Sequence, residues 1–470
     1  MGWWKRINIM ERVRNVNITV TVEVMTFLYF FAFAVGLIAY QQTLYIKLCT
    51  RQGYNVSLCA NKSWEQGQPA LQLETSHWMI YTNVAVLLPL LFCLTALSGY
   101  SDRNSLTLAL ALPLAGSILT SAWIILQTIY IDWDPALLLI AAAGWGLTGY
   151  FPTVNMAGMT YLIRDKYVGN LAVRIAVLEG MQMLAGAIGT AVAGPILDTS
   201  AGAKTGLIAA WIVCAVTQVI ALADVLFRVK KLPPPEHLTA SYKKQPITFS
   251  LTIKRCFNLD SFKSYFKAVF RQRDNSKRLH FHIVVVATMI GNLALAGMTN
   301  IVFLYLTKQY GKSNTEYSIY QFLNSITSLI GNTVLIYIFT TVYKLSDIGF
   351  TILGAASTAI SYTLVGYANY AVPYWLAVAF RLCSSYIWVG GRLYITHTLN
   401  EKEQAAGMGY YATVQCITTI IASVVFNTIY PATLHFWPGL SFAVCALLTV
   451  LIIPVLTFVK WNDIRHGCDN

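Results

Sequence analysis

Glu179 is the residue whose surroundings constrain its chemistry most. It lies in Arg174-Ile175-Ala176-Val177-Leu178-Glu179-Gly180, about one and a half turns into an apolar segment of helical length. A carboxyl group held among Leu and Met side chains has its charge penalised by the low dielectric, which is what a proton carrier needs. A salt bridge to Arg174 is the structural alternative, but five residues along one helix is poor geometry for it.

Arg381 and Arg392 are the second pair of interest. Eleven residues on one helix make close to three turns, so both guanidinium groups would share a face about 16 Å apart along the axis. Arginine keeps its charge and grips carboxylates with two bonds, so a stripe of two predicts contact with an anionic solute. For Arg392 a gate ion pair or an interfacial position is an equal alternative.

These groups need elements to hold them, and the hydropathy pattern supplies twelve apolar stretches. The chain has 470 residues, 56% of them hydrophobic and 11% charged, whereas soluble domains carry about 25% charged residues. The stretches fall near 24–46, 78–99, 106–128, 136–162, 172–196, 206–227, 280–306, 318–340, 347–368, 373–397, 405–429 and 439–459. Each approaches the roughly 20 residues that cross a bilayer core. The fold class this predicts is all-α: a polytopic membrane protein with two six-helix bundles, 24–227 and 280–459. A tail at 1–23, a basic loop at 228–279 and a tail at 460–470 complete the organisation. Met1 to Glu23 has no cleavable signal pattern.

Basic residues set the orientation. With the amino terminus inside, 25 Lys and Arg fall in inner segments and six (Lys47, Arg51, Lys62, Lys204, Lys308, Lys312) in outer ones, a bias that places both termini in the cytoplasm. The net charge of +13 therefore implies no nucleic acid. The central loop holds thirteen Lys and Arg against Glu236, Asp260 and Asp274; it is read first as a solvated loop obeying the positive-inside rule, with a face suited to anionic headgroups. Leu259 to Arg273 alternates apolar and basic residues like an interfacial helix, which could tether the halves.

The longest outer loop, 48–77, carries two glycan acceptors, Asn55-Val56-Ser57 and Asn61-Lys62-Ser63. It also holds Cys49 and Cys59, ten residues apart on the side of an oxidising compartment, and a bridge between them is expected. The other seven cysteines lie in helices or inner segments without metal-ligand spacing. There is no phosphate-binding loop, no H-E-x-x-H and no supported Ser/His/Asp set, so neither an enzyme nor a cofactor is expected.

Gly99-Tyr100-Ser101-Asp102-Arg103 sits in the turn between the second and third helices. It resembles the G-x-x-x-D-R-x-G-R-R turn of twelve-helix major facilitators, although Asn104 and Ser105 follow with no further glycine or arginine. Phe426-Asn427-Thr428-Ile429-Tyr430-Pro431-Ala432-Thr433-Leu434 closely resembles the end of helix eleven in solute carrier family 46, the family of the proton-coupled folate transporter. Ser76-His77-Trp78, Arg174 to Glu179, and Arg392 with Glu403-Gln404 agree with it, so the resemblance spans nearly the whole chain.

The resemblance implies a proton-coupled symporter that imports an organic solute, with folate-like, porphyrin-like and muropeptide-like substrates in different members. It gives Glu179 the coupling role, Arg392 the helix-ten arginine, Asp102 the acid of the two-three turn and Asp165 the acid after helix four; Asp102, Arg103, Asp165, Arg174 and Glu403 are together expected to form a gate or latch, although Glu403 also reads as an interface charge. In the folate branch the outer-loop cysteine matched by Cys59 pairs with one between helices seven and eight. Here 308–317 has no cysteine, which favours Cys49. Tyr150, after Gly149, stands where the folate branch has an acid and is assigned to substrate contact; Leu295 stands where it has a histidine. Folate itself is thereby disfavoured, while the arginines keep an anion as the expected partner beside the proton and the bilayer. A proton-independent carrier or a non-transporting receptor are the alternatives. Neither tail carries a dominant dileucine signal, which favours the plasma membrane over a lysosomal membrane.

Overall fold

The computed structural model describes residues 21–59, 69–102, 106–165, 171–197, 202–229, 259–271, 277–310, 314–367, 371–399, 403–433 and 436–465. Arg103, Asn61 and most of the central loop lie outside the described residues. Among those described, the secondary structure is helical and includes no strand.

The first half comprises α1 (Glu23–Arg51), the short α2 (Val56–Cys59), α3 (Pro69–Ser101), α4 (Thr107–Ile129), α5 (Leu137–Leu147), α6 (Tyr150–Arg164), α7 (Leu171–Leu197) and α8 (Ala203–Ala223). A helix at Leu259–Phe270, α9, lies between the halves. The second half comprises α10 (Lys277–Tyr310), α11 (Asn314–Ile330), α12 (Ile336–Thr341), α13 (Asp347–Gly366), α14 (Ala371–Phe380), α15 (Tyr386–Thr398), α16 (Gln404–Thr433) and α17 (Leu440–Arg465). Among the described residues, eleven stretches are long and apolar enough to cross a bilayer. The twelfth predicted crossing, 373–397, is α14 and α15 with a break between them.

This is a multi-pass membrane protein. Phe92, Leu119, Ile140, Leu147, Leu447 and Phe458 are all more than half exposed, as helix faces turned to lipid require. Small residues let the helices approach: a side chain on Gly146 would strike the backbone of Val86, and one on Gly354 that of Ile387. Within the first half α1 packs on α7 and α8; within the second, α13 packs on α17 and α10 on α16. The halves meet where α3 and α6 pack on α16 and where α7 packs on α11. One buried cluster runs through this junction, joining Leu94, Leu97 and Leu162 to Ile395, Leu399, Met408 and Tyr411.

Observed ends differ from the predicted ones mainly by extension. The first helix begins at Glu23 and runs to Arg51, the seventh predicted span begins at Lys277, and the last helix reaches Arg465. Polar residues at these ends are buried against partners, Glu23 against Arg174 and Asp463 against His280, so hydropathy alone stops too early.

Candidate functional site

Two neighbouring spans abandon regular geometry at one place. Residues 331–335 form a π turn between α11 and α12, and Arg381–Cys383 form a 3-10 turn between α14 and α15. Irregular backbone at membrane depth survives only where its polar groups find partners inside protein. Here Tyr386 donates its hydroxyl to the Gly331 carbonyl at 2.7 Å, and Ser385 donates to Asn332 Oδ1 at 2.5 Å. Gly331 is obligatory: a Cβ there would run into the Leu382 carbonyl oxygen.

The first half brings Glu179 to this spot. Its carboxylate pairs with the Arg392 guanidinium, and both side chains are under one tenth exposed. The contact joins α7 of one half to α15 of the other. Beside it Gly180 faces α11, where a Cβ would lie 2.9 Å from Leu329 Cδ1. Asn332 Nδ2 also reaches Met183 Sδ across the junction at 3.8 Å, and Arg392 lies over the Tyr411 ring at 5.4 Å.

Glu179 does not pair with Arg174, as the five-residue spacing implied, and its partner is Arg392. Arg392 thereby takes the ion-pair alternative that the sequence left open. One expectation changes. The common face of Arg381 and Arg392 rested on a continuous helix, and the turn at 381–385 breaks that register. Arg381 instead lies over the Tyr362 ring at 5.8 Å, with its Nε buried and, among the described residues, lacking a hydrogen-bond partner.

Tyr150 stands at a second break. Gly149 and Tyr150 have φ of 109° and 44°, so the span formed by α5 and α6 turns through left-handed backbone, which a bulky side chain adopts only under constraint. That constraint is aromatic. Tyr150 packs edge-on to Trp145 at 4.6 Å between centroids and to Phe33 at 5.5 Å, and Phe151 lies at 4.9 Å.

The residues predicted as one latch fall into separate groups. Asp102 accepts the Ala405 and Ala406 amides, each at 2.8 Å, and lies 3.4 Å from Arg164. Burial pushes its carboxyl up to about 7, against the downward pull of Arg164 and the two amides, with Glu403 adding to the rise. Glu403 pairs with Arg271 at 2.8 Å. Arg174 instead pairs with Asp165 at 3.4 Å and Glu23 at 3.5 Å, and donates to Thr21 at 3.1 Å. Asp165 and Arg174 therefore knit the first half to itself; among the described residues their ion pairs do not reach the second half.

At the opposite end Cys49 and Cys59 are bridged, with Cα atoms 5.9 Å apart. Asn55 is exposed and its Oδ1 accepts the Ser57 amide at 3.3 Å. Sequence reasoning missed Asn332, Ser385, Tyr386 and a polar knot in which Asn292 donates to the Gln415 carbonyl, Thr418 and Thr419 at 3.0–3.2 Å. The available signal was an amide side chain within an apolar span, which must find partners.

The sequence pattern of the Major Facilitator Superfamily matches residues 22–423. The chain belongs to the major facilitator superfamily. Among this facilitator's curated relatives, the proton-coupled folate transporter of Rattus norvegicus is 24% identical over 427 residues, covering 88% of this chain and 86% of that protein. The lysosomal proton-coupled steroid conjugate and bile acid symporter of Gallus gallus is 21% identical over 453 residues, 93% of each. Both are transporters of solute carrier family 46, the family that the helix-eleven motif resembles. The fold of this facilitator is that of the human organic anion transporter TETRAN (TM-score 0.67, 13% identity, 93% of this chain and 97% of that one). It also matches the proton:xylose symporter XylE (TM-score 0.64, 14% identity, 92% and 93%).

Proposed function

We propose that this facilitator imports a small organic anion together with a proton by alternating access. Glu179 accepts the proton, and Arg392 with Arg381 receives the anion. The observation that carries this is the buried pair between Glu179 and Arg392. Removing one member of a buried pair leaves an uncompensated charge worth about 3–5 kcal/mol. A proton arriving on Glu179 alone would strand Arg392, and an anion arriving alone would strand Glu179. Both together leave no unpaired charge, and that is thermodynamic coupling of the two ligands. Because the pair spans the two halves, exchanging its partners also changes what holds them together.

Support comes from relatives whose names give proton-coupled folate and bile acid transport, and from a structural neighbour named as an organic anion transporter. The cargo is a folate-like, porphyrin-like or muropeptide-like anion whose ring or apolar body rests on the aromatic group at Tyr150. Asp102, with Arg164 and Glu403, latches the basic end. That end, with both termini, faces the cytoplasm, and the bridged end faces outward at the plasma membrane with glycans on Asn55 and Asn61.

The test is uptake of a panel of folates, porphyrins and muropeptides into proteoliposomes with and without an inward proton gradient. Uptake rises with external acidity in the parent protein, and Glu179→Gln flattens that dependence. A Glu179→Gln variant that transports with the parental pH profile refutes the coupling role.

A further inference from the structure

We infer that the outer face of α9 is a docking surface for anionic lipid headgroups. This helix has two distinct stripes. Tyr265, Ala268 and Val269, at spacings of three and four, are buried against Ala406 and Tyr410 of α16, and the same helix packs on α3 of the other half. Tyr265 donates its hydroxyl to Thr413 at 3.3 Å. Those contacts account for the inner face.

The opposite stripe is Lys263, Phe266, Lys267 and Phe270, at i, i+3, i+4 and i+7, and all four are exposed. Phe266 is 53% exposed and Phe270 52%, with their rings stacked 6.4 Å apart. Arg271 is taken by Glu403 at 2.8 Å; among the described residues, no ion pair reaches Lys263 or Lys267. Two stacked aromatic rings flanked by two unneutralised ammonium groups match the boundary of an acidic leaflet, where apolar rings enter the acyl region and amines meet phosphate or carboxylate.

Position selects lipid over a soluble protein as occupant. The contacts of α9 fall on α16 between Ala406 and Thr413, two to nine residues past the helix start at Gln404, or roughly 3–14 Å along its axis at 1.5 Å per residue. The helix therefore lies alongside the end of a spanning helix, the part that passes beyond a hydrocarbon core about 30 Å thick, with Lys263, Phe266 and Lys267 exposed and Phe270 bordering the His282 ring of α10 at 5.7 Å. The sequence before it adds Lys254 and Arg255.

The full-length protein is reconstituted into phosphatidylcholine bilayers with and without phosphatidylserine, the lipids carrying bromine on the upper acyl chain. Phe266→Trp adds fluorescence over the parent that is quenched by bromine, more strongly as phosphatidylserine increases. In parallel, native mass spectrometry of the parent retains phosphatidylserine over phosphatidylcholine, and Lys263→Gln/Lys267→Gln lowers that preference about thirtyfold, as expected for two surface lysines. An unquenched tryptophan means that the face meets water or a soluble partner and overturns the proposal. Quenching without phosphatidylserine dependence, or lipid retention unchanged in the double variant, overturns its electrostatic part. The mass measurement on the parent needs no substitution, so misfolding of a variant does not shelter the proposal.

Discussion

Asp102 and Ala405, separated by three hundred residues, meet where the two halves close: the Asp102 Oδ1 accepts the Ala405 amide at 2.8 Å while Oδ2 accepts Ala406. The first amides of α16 have no intrahelical acceptor, and a carboxylate at a helix amino terminus also meets the positive end of the macrodipole. One half thus caps a helix of the other. The carboxyl is 3% exposed, and this burial outweighs its partners and pushes its pKa up to about 7.

A raised carboxyl pKa has a definite sign. Between the unfolded value near 3.9 and about 7 the folded chain holds a proton that the unfolded chain has lost. Its contribution is complete below about 4 and is lost as pH rises to about 7, by up to about 1.4 kcal/mol per pH unit. Thermal unfolding in detergent between about pH 4 and 7, the window of that titration, gives a midpoint that falls with pH, and Asp102→Asn flattens the slope. An unaltered slope in the variant means that another group titrates.

The Glu179–Arg392 pair predicts strong non-additivity. Glu179→Gln and Arg392→Gln each leave one buried charge, and each lowers unfolding stability by about 3–5 kcal/mol. The double variant loses much less than the sum, because neither charge remains. Additive losses in the thermal-unfolding cycle would mean that the two groups do not interact in the folded protein.

Cysteine removal is predicted to act at the bridged end alone. Closing a ten-residue separation is worth about 2–3 kcal/mol by loop entropy, so Cys49→Ser and Cys59→Ser each lower thermal stability by that order. Combining them adds little, and reductant reproduces the effect in the parent. Equal stability with and without reductant contradicts this.

Gly331 is predicted to tolerate no side chain. Gly331→Ala drives its Cβ into the Leu382 carbonyl and separates the π turn from the 3-10 turn, breaking the Tyr386 and Ser385 hydrogen bonds that depend on their contact. The expected loss is about 1–3 kcal/mol or more, as for overpacking, read as a lower midpoint. Gly186→Ala is the control, since its Cβ would meet no neighbour within 4 Å, and it leaves the midpoint unchanged.

Hydropathy made the spans legible because a bilayer demands about 20 apolar residues in a row, a local property that no distant contact alters. The bridge at Cys49 and Cys59 was legible for a similar reason, since ten residues keep the partners close in any compact loop. The amphipathic stretch from Leu259 also emerged as a helix, its two faces written in the spacing of Tyr265, Ala268 and Val269 against Lys263, Phe266, Lys267 and Phe270.

Read along the chain, Glu179 and Arg392 are ionisable groups within apolar spans, Asp102 occupies a turn, and the chain crosses a bilayer repeatedly. It took the packing of the helices to show that Glu179 and Arg392 neutralise each other, that Asp102 caps α16, and that Arg174 serves Glu23 and Asp165 within one half. That packing also decided that the span of Arg381 breaks, at the place where the carbonyl of Leu382 closes on Gly331 of a neighbouring span. The physical reason is common to all four. Apolar burial is summed over a segment and can be read along the chain, whereas a buried charge or a freed backbone group is satisfied by one partner at one distance, and that partner lies on another helix.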